Sequence, residues 1–390
     1  MDMPTVLMTV SNSYTNDPRV RKEAMSLTRA GLRVAVCALD RSLSFKPMEY
    51  DHQVTVKRLR ISLPYTRIHR ALVVFPIFLM FCILEILTIR PTVVHCHNLD
   101  TAIVGVPAKI LCRSKFIYDV HDHYPSMIKA SVPFPLYYLL KILDRVLTSA
   151  ADCVIVPSMY RAKLYPSARR IFEVPNLPKI SETCQPGIKR SGKDSSIFTI
   201  YYGGSLSKGN ATIKLVRLAA RLSDIRLVLA GYPKGNLHAF LKKAATTLPN
   251  LSYLGEVDRS ISLSLLCTSD VTIVMYEPCN INNVYASSNK LFEAMMMGVP
   301  IVTNKETVAS EIVEREACGL VVPYHDDAAL EQAILTLKRD KKLWRKLHDS
   351  GRTASEKYSW EQFEASFLSK YIELINLTFS IVDSKSGSFE

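Results

Sequence analysis

Residues 198–230 read FTIYYGGSLSKGNATIKLVRLAARLSDIRLVLA. Phe198–Gly203 is a short apolar run rich in aromatic and β-branched residues and ended by two glycines, the pattern of a buried strand. Thr212–Leu222 brings apolar residues back at three- and four-residue spacing, which predicts a helix, and Arg226–Ala230 predicts a second buried strand. The alternation continues. Leu251–Leu254, Val271–Met275, Pro300–Thr303 and Gly319–Val322 read as strands, with helices near Leu237–Leu248, Asn289–Met297, Ala309–Glu316 and Asp327–Arg339. Upstream, Thr5–Ser11, Arg33–Ala38, Val93–His97, Phe116–Val120 and Cys153–Pro157 read as strands, with helices in 19–30, 72–87 and 135–149. Two separate βα series mean two doubly wound parallel sheets. The polar, aperiodic stretch Lys179–Ser196 reads as the linker between them. The expected division is 1–180, a linker at 181–197, 198–359, a last helix at 360–379 and a disordered tail at 380–390. Ligands of such sheets collect beyond the carboxyl ends of the strands, so two facing domains suit a two-substrate transfer reaction in a cleft between them.

Composition narrows the class. The 390 residues are 48% apolar and 22% charged, which excludes a disordered or low-complexity chain. The 9 Cys are odd in number and form no CxxC pair, so a zinc ribbon or disulfide framework is not expected. The formal charge is +13, and residues 1–195 hold 27 Lys and Arg against 15 Asp and Glu, so nearly all the excess lies in the first half. That asymmetry implies an anionic partner: a phosphorylated substrate or an acidic lipid surface. Nucleic acid is not expected, because no zinc-finger, RRM or helix-turn-helix spacing is present and the basic residues are not interleaved with aromatics.

No secretory signal is read at the start of the sequence, so a cytoplasmic protein is expected. Residues 71–89, ALVVFPIFLMFCILEILTI, are apolar but broken by Pro76 and Glu85, and they run straight into a strand pattern. A buried or interfacial helix fits better than a membrane span. Lys57, Arg58, Arg60, Arg67 and Arg70 before it form a cluster able to lie on anionic headgroups, which would make the protein peripheral on the inner face of a membrane.

The chemistry-bearing residues fall at strand ends. In Ala286–Pro300, ASSNKLFEAMMMGVP, the capping types Ser287, Ser288 and Asn289 open a helix whose N-terminus suits a diphosphate, with Lys290 as an added cation. Glu293, one turn on, is placed to accept both hydroxyls of a ribose, and Gly298 ends the helix. The loop Gly203–Gly209 lets the backbone approach phosphate oxygens, with Lys208 as a counter-charge, although the Walker A order is absent. In the first half His121, Asp122 and His123 follow a strand; no matching ligand cluster elsewhere supports a metal there. Asp17 is placed to cap a helix, with Arg19, Arg21 and Lys22 close by.

Taken in order, NDPRVRKEA, VVHCHNLDT, YDVHDHYP, ADCVIVPS, VPNLP, YYGGSLSKG, LGEV, SNKLFEAMMMGVPIV and CGLVVP resemble the retaining GT-B glycosyltransferases of family 4 over nearly the full chain. The resemblance implies two Rossmann-like domains facing a cleft, an acceptor-binding one followed by a nucleotide-sugar-binding one, with the last helix crossing back onto the first. It implies metal-independent, retaining transfer from a nucleotide diphosphate sugar, UDP-linked, to a hydroxyl of a lipid-linked or glycan acceptor, with no separate cofactor. Carried over by position, Glu293 would bind the ribose. Lys208, Gly204, Ser205 and the backbone near Ser288, Asn289 and Lys290 would hold the diphosphate, while Gly255, Glu256 and Val257 would flank the base. His121 would meet the donor sugar, and Asp17, Arg19, Asn98 and Asp100 would line the acceptor side.

Two positions depart from the family pattern. Tyr285 stands where many members carry the first of two glutamates, and the phosphate loop lacks its arginine. A nucleotide-sugar epimerase on the same architecture, or a degenerate binding subunit, are the rival readings.

Overall fold

The computed structural model describes residues 3–386 apart from 16, 63–67, 130–131, 181–196 and 208; for residues 68–72 and 376–386 the backbone alone is described. All of the expected linker but Ile197, the Lys208 position and part of the basic flank, Arg67 and the Arg70 side chain, therefore lie outside the described residues. The chain divides into two compact units, Met1–Pro175 with Glu364–Glu390, and Asn176–Phe363.

The first unit is built on an eight-stranded sheet. Its strands are β1 (Thr5–Val10), β2 (Arg33–Asp40), β3 (Met48–Asp51), β4 (Val54–Arg60), β5 (Val93–His97), β6 (Lys115–Asp119), β7 (Cys153–Val156) and β8 (Ile171–Glu173), in the spatial order β3-β4-β2-β1-β5-β6-β7-β8. All neighbours are parallel except β3 with β4. The β1, β5 and β6 strands are buried along nearly their whole length, which explains their continuous apolar reading. Its helices are α1 (Pro18–Arg29), α2 (Ile68–Ile89), α3 (Asn98–Ala102), α4 (Gly105–Cys112), α5 (Tyr124–Ile128), α6 (Phe134–Ala150) and α7 (Met159–Ala162). Val74, Phe78, Cys82 and Ile86, one stripe of α2, pack into the core with Leu7, Cys96, Phe116 and Tyr118. No described helix is long and apolar enough to cross a membrane.

The sequence pattern misses the β3–β4 pair, and that changes the reading of the basic flank. Lys57, Arg58 and Arg60 sit on β4, not on an approach to α2. Lys57 Nζ pairs with Glu85 at 2.6 Å, which also supplies the partner for the helix's only acid. Arg58 is buried and bonds Glu49, Thr15 and the Ser13 and Lys46 carbonyls. Arg60 donates to the Leu43 carbonyl and lies 3.7 Å from Asp40. These three cations hold the sheet edge together and do not form a free basic patch.

In the second unit six strands, β9 (Phe198–Gly203), β10 (Ile225–Ala230), β11 (Leu251–Tyr253), β12 (Val271–Val274), β13 (Ile301–Asn304) and β14 (Gly319–Val322), form an all-parallel sheet ordered β11-β10-β9-β12-β13-β14. Around it lie α8 (Thr212–Arg221), α9 (Leu237–Thr247), α10 (Arg259–Cys267), α11 (Ile281–Val284), α12 (Asn289–Met297), α13 (Val308–Arg315), α14 (Asp327–Arg339) and α15 (Lys341–Ser355). Gly298 ends α12 in the left-handed conformation (φ +63°), with the Val299 amide bonding back to Ala294. The final helix, α16 (Trp360–Ser386), runs seven residues past its expected end, so the expected tail is helical up to Ser386. It starts in the second unit, where the Trp360 amide bonds Pro178 O, and from Glu364 onward belongs to the first, where Tyr371 lies against His95.

Both sheets have a place where strand order reverses, between β1 and β5 in the first and between β9 and β12 in the second. Loops at the carboxyl ends of those strands diverge and leave a crevice, where α/β sheets of this kind bind ligands.

Candidate functional site

At the switch point of the second unit, the loops after β9, β10 and β11 lie on one another. The Gly204 amide donates to Ala230 O at 2.9 Å, and the Gly231 amide donates to Gly255 O at 2.6 Å. A Cβ on Gly231 (φ +140°) would sit 1.8 Å from Gly204 O, so only glycine allows this approach. Gly204 itself has φ +101°, and the space above it opens onto Lys290: a Cβ there would be 3.9 Å from Nζ. The glycine loop and the N-terminal turn of α12 thus meet around one ammonium group.

Two residues that the sequence reading did not single out fix that ammonium. Lys290 Nζ lies 4.4 Å from the centroid of the Tyr202 ring and 5.3 Å from that of Tyr276. Burial opposes the charge, yet the two phenols outweigh it and hold the lysine above its ordinary range. Tyr202 is the last residue but one of β9 and Tyr276 follows β12, so both flank the switch point. Ser288 occupies the cap position of α12, but its hydroxyl bonds the Tyr276 hydroxyl at 2.9 Å and no side chain caps the helix. Its first amides are left available to an anion. The backbone before it is tied by Asn176 Nδ2, which donates to Ser287 O at 2.9 Å.

Glu293 is nearly buried, and Arg259 Nη1 from the start of α10 lies 2.7 Å from its Oε1. The carboxylate has a partner that the motif reading did not provide for. Of the other expected donor residues, Ser205 has a buried hydroxyl with no partner among the described residues, and Gly255 (φ +67°) lies in the stack of loops. Glu256 and Asn289 are exposed, Val257 packs partly against the core, and Tyr285 follows α11, half-buried.

At the switch point of the first unit, His121 Nε2 lies 3.2 Å from Asp119 Oδ2 and 3.1 Å from His97 Nδ1. Its amide donates to Asn98 Oδ1 at 3.0 Å, and Asn98 adopts φ +67° to offer it. Burial disfavours the charged imidazole, but the Asp119 carboxylate prevails and raises the His121 pKa. Asp17 caps α1 through the Val20 amide, accepts from Asn12 and is kept low by His121 against its own burial. Asp100 lies in the first turn of the short α3 and is raised by burial.

Arg19 differs from its expected place on the acceptor side. It is buried, grips Asp119 through two nitrogens at 3.2 and 2.7 Å, and donates to Val174 O at 2.6 Å. It positions Asp119 and, through it, His121.

Behind His121 the structure gathers ligand atoms of Glu23, His95, His97 and Asp119 within 4.8 Å of one another, all buried. This is a grouping the spacing of His121 and His123 did not point to. Arg19 Nε lies 3.3 Å from Glu23 and already supplies a positive charge among these atoms. Burial and the neighbouring Asp119 hold the Glu23 carboxyl up at about 8, and burial with the stacked His95 ring, 4.3 Å away, drops His97 to about 3. The strand period carries a faint signal of this cluster: His95 and His97 share one face of β5, and His97 registers with Asp119 of β6.

The family described as Glycosyltransferase Family 4 matches residues 19–176, and that described as Glycosyl transferases group 1 matches residues 200–340. The chain belongs to the group 1 and family 4 glycosyltransferases. Its fold is GT-B. Sucrose-phosphate synthase from Thermosynechococcus elongatus is similar with TM-score 0.81 at 17% identity, over 96% of this chain and all (100%) of that one. Anabaena HepE in complex with UDP superposes with TM-score 0.70 at 15% identity, over 96% and 100% of the two chains. Among curated relatives, a probable sucrose-phosphate synthase 2 of Oryza sativa subsp. japonica is 33% identical over 84 residues, which is 22% of this glycosyltransferase-family chain but only 9% of the rice protein. The phosphatidyl-myo-inositol mannosyltransferase of Mycobacterium leprae is 25% identical over 38% of each chain.

Proposed function

We propose that the protein transfers a sugar, with retention, from a UDP-linked donor to an acceptor hydroxyl on a membrane-associated lipid or glycan. One observation carries the reading: Gly204, Lys290 and the uncapped N-terminus of α12 converge at the switch point of the second sheet. An anion placed there meets backbone amides, a helix dipole and an ammonium held charged by two phenols. Such a site favours the state in which a diphosphate is leaving, because charge that develops on departure is met by groups already in place.

The roles then follow. Lys290 and the α12 amides hold the diphosphate, with Lys208 assigned to the same task, and Ser205 and Gly204 close around it. Glu293 takes the ribose hydroxyls in place of Arg259, Gly255 to Val257 flank the base, and Tyr285 and Asn289 face the donor. His121 is assigned to the sugar at the reacting centre, with Asp17, Asn98 and Asp100 on the acceptor side. The protein's own cations neutralise the diphosphate, so transfer is expected to proceed in a chelator. UDP on HepE, and the lipid named in the mycobacterial mannosyltransferase, support the donor and acceptor classes assigned here.

The test is calorimetric titration with UDP and GDP, followed by incubation of UDP-sugars with lipid extracts and assignment of the anomeric configuration of any product. Micromolar UDP binding and a product of unchanged configuration are expected. Absence of nucleotide binding, or conversion of the donor sugar without an acceptor, overturns the reading.

A further inference from the structure

The first unit carries an apolar surface that its fold does not use. One stripe of α2 is spent in the core, but Val73, Ile77, Met80, Leu84 and Leu87 recur at helical spacing on the opposite side and are all exposed. An α-helix apolar on both sides needs a second apolar neighbour. The α4 helix packs beside α2 and ends in exposed Ile110 and Leu111. The α6 helix touches α4 and presents Phe134, Tyr138, Leu139, Ile142 and Val146, with Phe134 72% exposed. Three adjoining helices thus expose large apolar side chains together, a concentration that isolated soluble surfaces rarely show.

The charges on this face have one sign. Arg90 at the end of α2, Arg113 at the end of α4, and Lys141 and Arg145 on α6 are exposed. The two acids on these helices are both engaged: Glu85 by Lys57, and Asp144, buried, by the Tyr118 hydroxyl at 2.7 Å. Apolar side chains interspersed with cations whose long stems can reach past them are the composition of a surface that sits in the headgroup layer of an anionic bilayer. The aromatic pair Phe134 and Tyr138, with ring centroids 4.6 Å apart, suits the same depth. A second copy of the chain fits worse, since a two-fold contact would bring Lys141 and Arg145 toward their own counterparts.

We propose that α2, α4 and α6 dock the protein onto an anionic lipid surface, with the outer side chains of α2 and α6 entering the headgroup layer. The docking face deepens the membrane-associated part of the proposed function and rests on that part alone; nucleotide binding by the second unit is independent of it.

The experiment is flotation of the full chain with vesicles of equal parts phosphatidylcholine and phosphatidylglycerol, against phosphatidylcholine alone. Binding to the first and not the second is expected, weakening with salt. Combined Leu139→Glu and Ile142→Glu is expected to lower affinity on the order of tenfold or more. Lys141→Gln with Arg145→Gln, which leaves the packing untouched, is expected to remove most of the salt dependence. Ile261→Glu, on α10 of the second unit, is expected to float as wild type. UDP titration of each variant keeps the two readings apart, since unchanged UDP binding with lost flotation is the expected pattern. Failure of wild type to float, flotation unaffected by the α6 substitutions, or a dimer in light scattering that these substitutions dissociate would overturn the proposal.

Discussion

Arg259 Nη1 and Glu293 Oε1 form an ion pair at 2.7 Å, across the start of α10 and the first turns of α12. A ribose that takes both oxygens of Glu293 must share them with the guanidinium or displace it. The arginine is partly exposed, so the pair is worth about 0–1 kcal/mol, little enough for a diol to replace. Arg259→Ala is expected to leave UDP affinity unchanged or tighten it by up to about fivefold, whereas Glu293→Gln is expected to weaken it by roughly tenfold or more. Calorimetry on both variants checks this. Weaker binding in Arg259→Ala would make the arginine itself a contact of the nucleotide.

Lys290 is charged in a cage of two aromatic rings, which separates its effect on the phosphates from any on the base. Lys290→Met keeps the apolar stem and removes the ammonium. UDP affinity is expected to fall by about 2 kcal/mol, since a charge-assisted bond at a half-buried lysine is lost, with uridine affinity unchanged. A loss shared equally by UDP and uridine would mean that the substitution unsettled the fold of the loop. Tyr276→Phe supplies the finer test: it keeps the ring near Lys290 but frees Ser288 from its 2.9 Å bond, letting that hydroxyl cap the helix and compete with the phosphate.

Much of this architecture was legible in the chain because the strands are buried on both faces and so read as unbroken apolar runs. The helix Asn289–Met297 begins and ends where its Ser288 and Gly298 signals place it. What escaped was set by contacts distant in sequence. Arg259 meets Glu293 only because α10 and α12 pack together, and nothing in the pattern near Glu293 marks that cation. Tyr202 looks like a core aromatic in FTIYYG, and only the fold shows that its ring ends beside Lys290. On the other half, the resemblance carries Arg19 to the acceptor side by position, but α1 aims the side chain inward at Asp119. The charged residues of the β3–β4 edge hide its strand pattern, and the same charges read as a basic patch where the structure has ion pairs.

The stack of loops makes a sharp prediction about backbone. At Gly231 a methyl group would enter the Gly204 carbonyl at 1.8 Å, while at Gly235 (φ +62°) nothing lies within 4 Å. Gly235→Ala is expected to cost about 1–2 kcal/mol, the strain of a left-handed alanine. Gly231→Ala adds a collision with backbone that cannot yield without moving the glycine loop at Gly204, so a loss of roughly 3 kcal/mol or more is expected, together with loss of UDP binding. Chemical denaturation and calorimetry of the pair distinguish strain from collision.

Glu23 lies at the buried centre of the first unit, and its ionisation has a defined sign. Its ordinary value is 4.5, and burial with the adjacent Asp119 raises it to about 8. Below the ordinary value both folded and unfolded chains hold the proton. Between the two values the unfolded chain gives it up while the folded chain keeps it, so stability falls as pH rises through this window and levels off above it. The lowered His97 and His95 act in the opposite sense at lower pH, and Asp119 is held well below its ordinary value by Arg19 and His121 despite burial. These groups are common to wild type and a Glu23→Gln variant, so they largely cancel in the difference between the two. Glutamine imitates the protonated acid and does not titrate. The variant is therefore expected to gain roughly 2–4 kcal/mol on wild type as pH goes from acidic to mildly basic. Urea denaturation of both proteins across that range reads it directly. A difference that stays flat would mean that Glu23 titrates at its ordinary value in the folded chain, and one that falls with rising pH would mean that Arg19 holds it ionised.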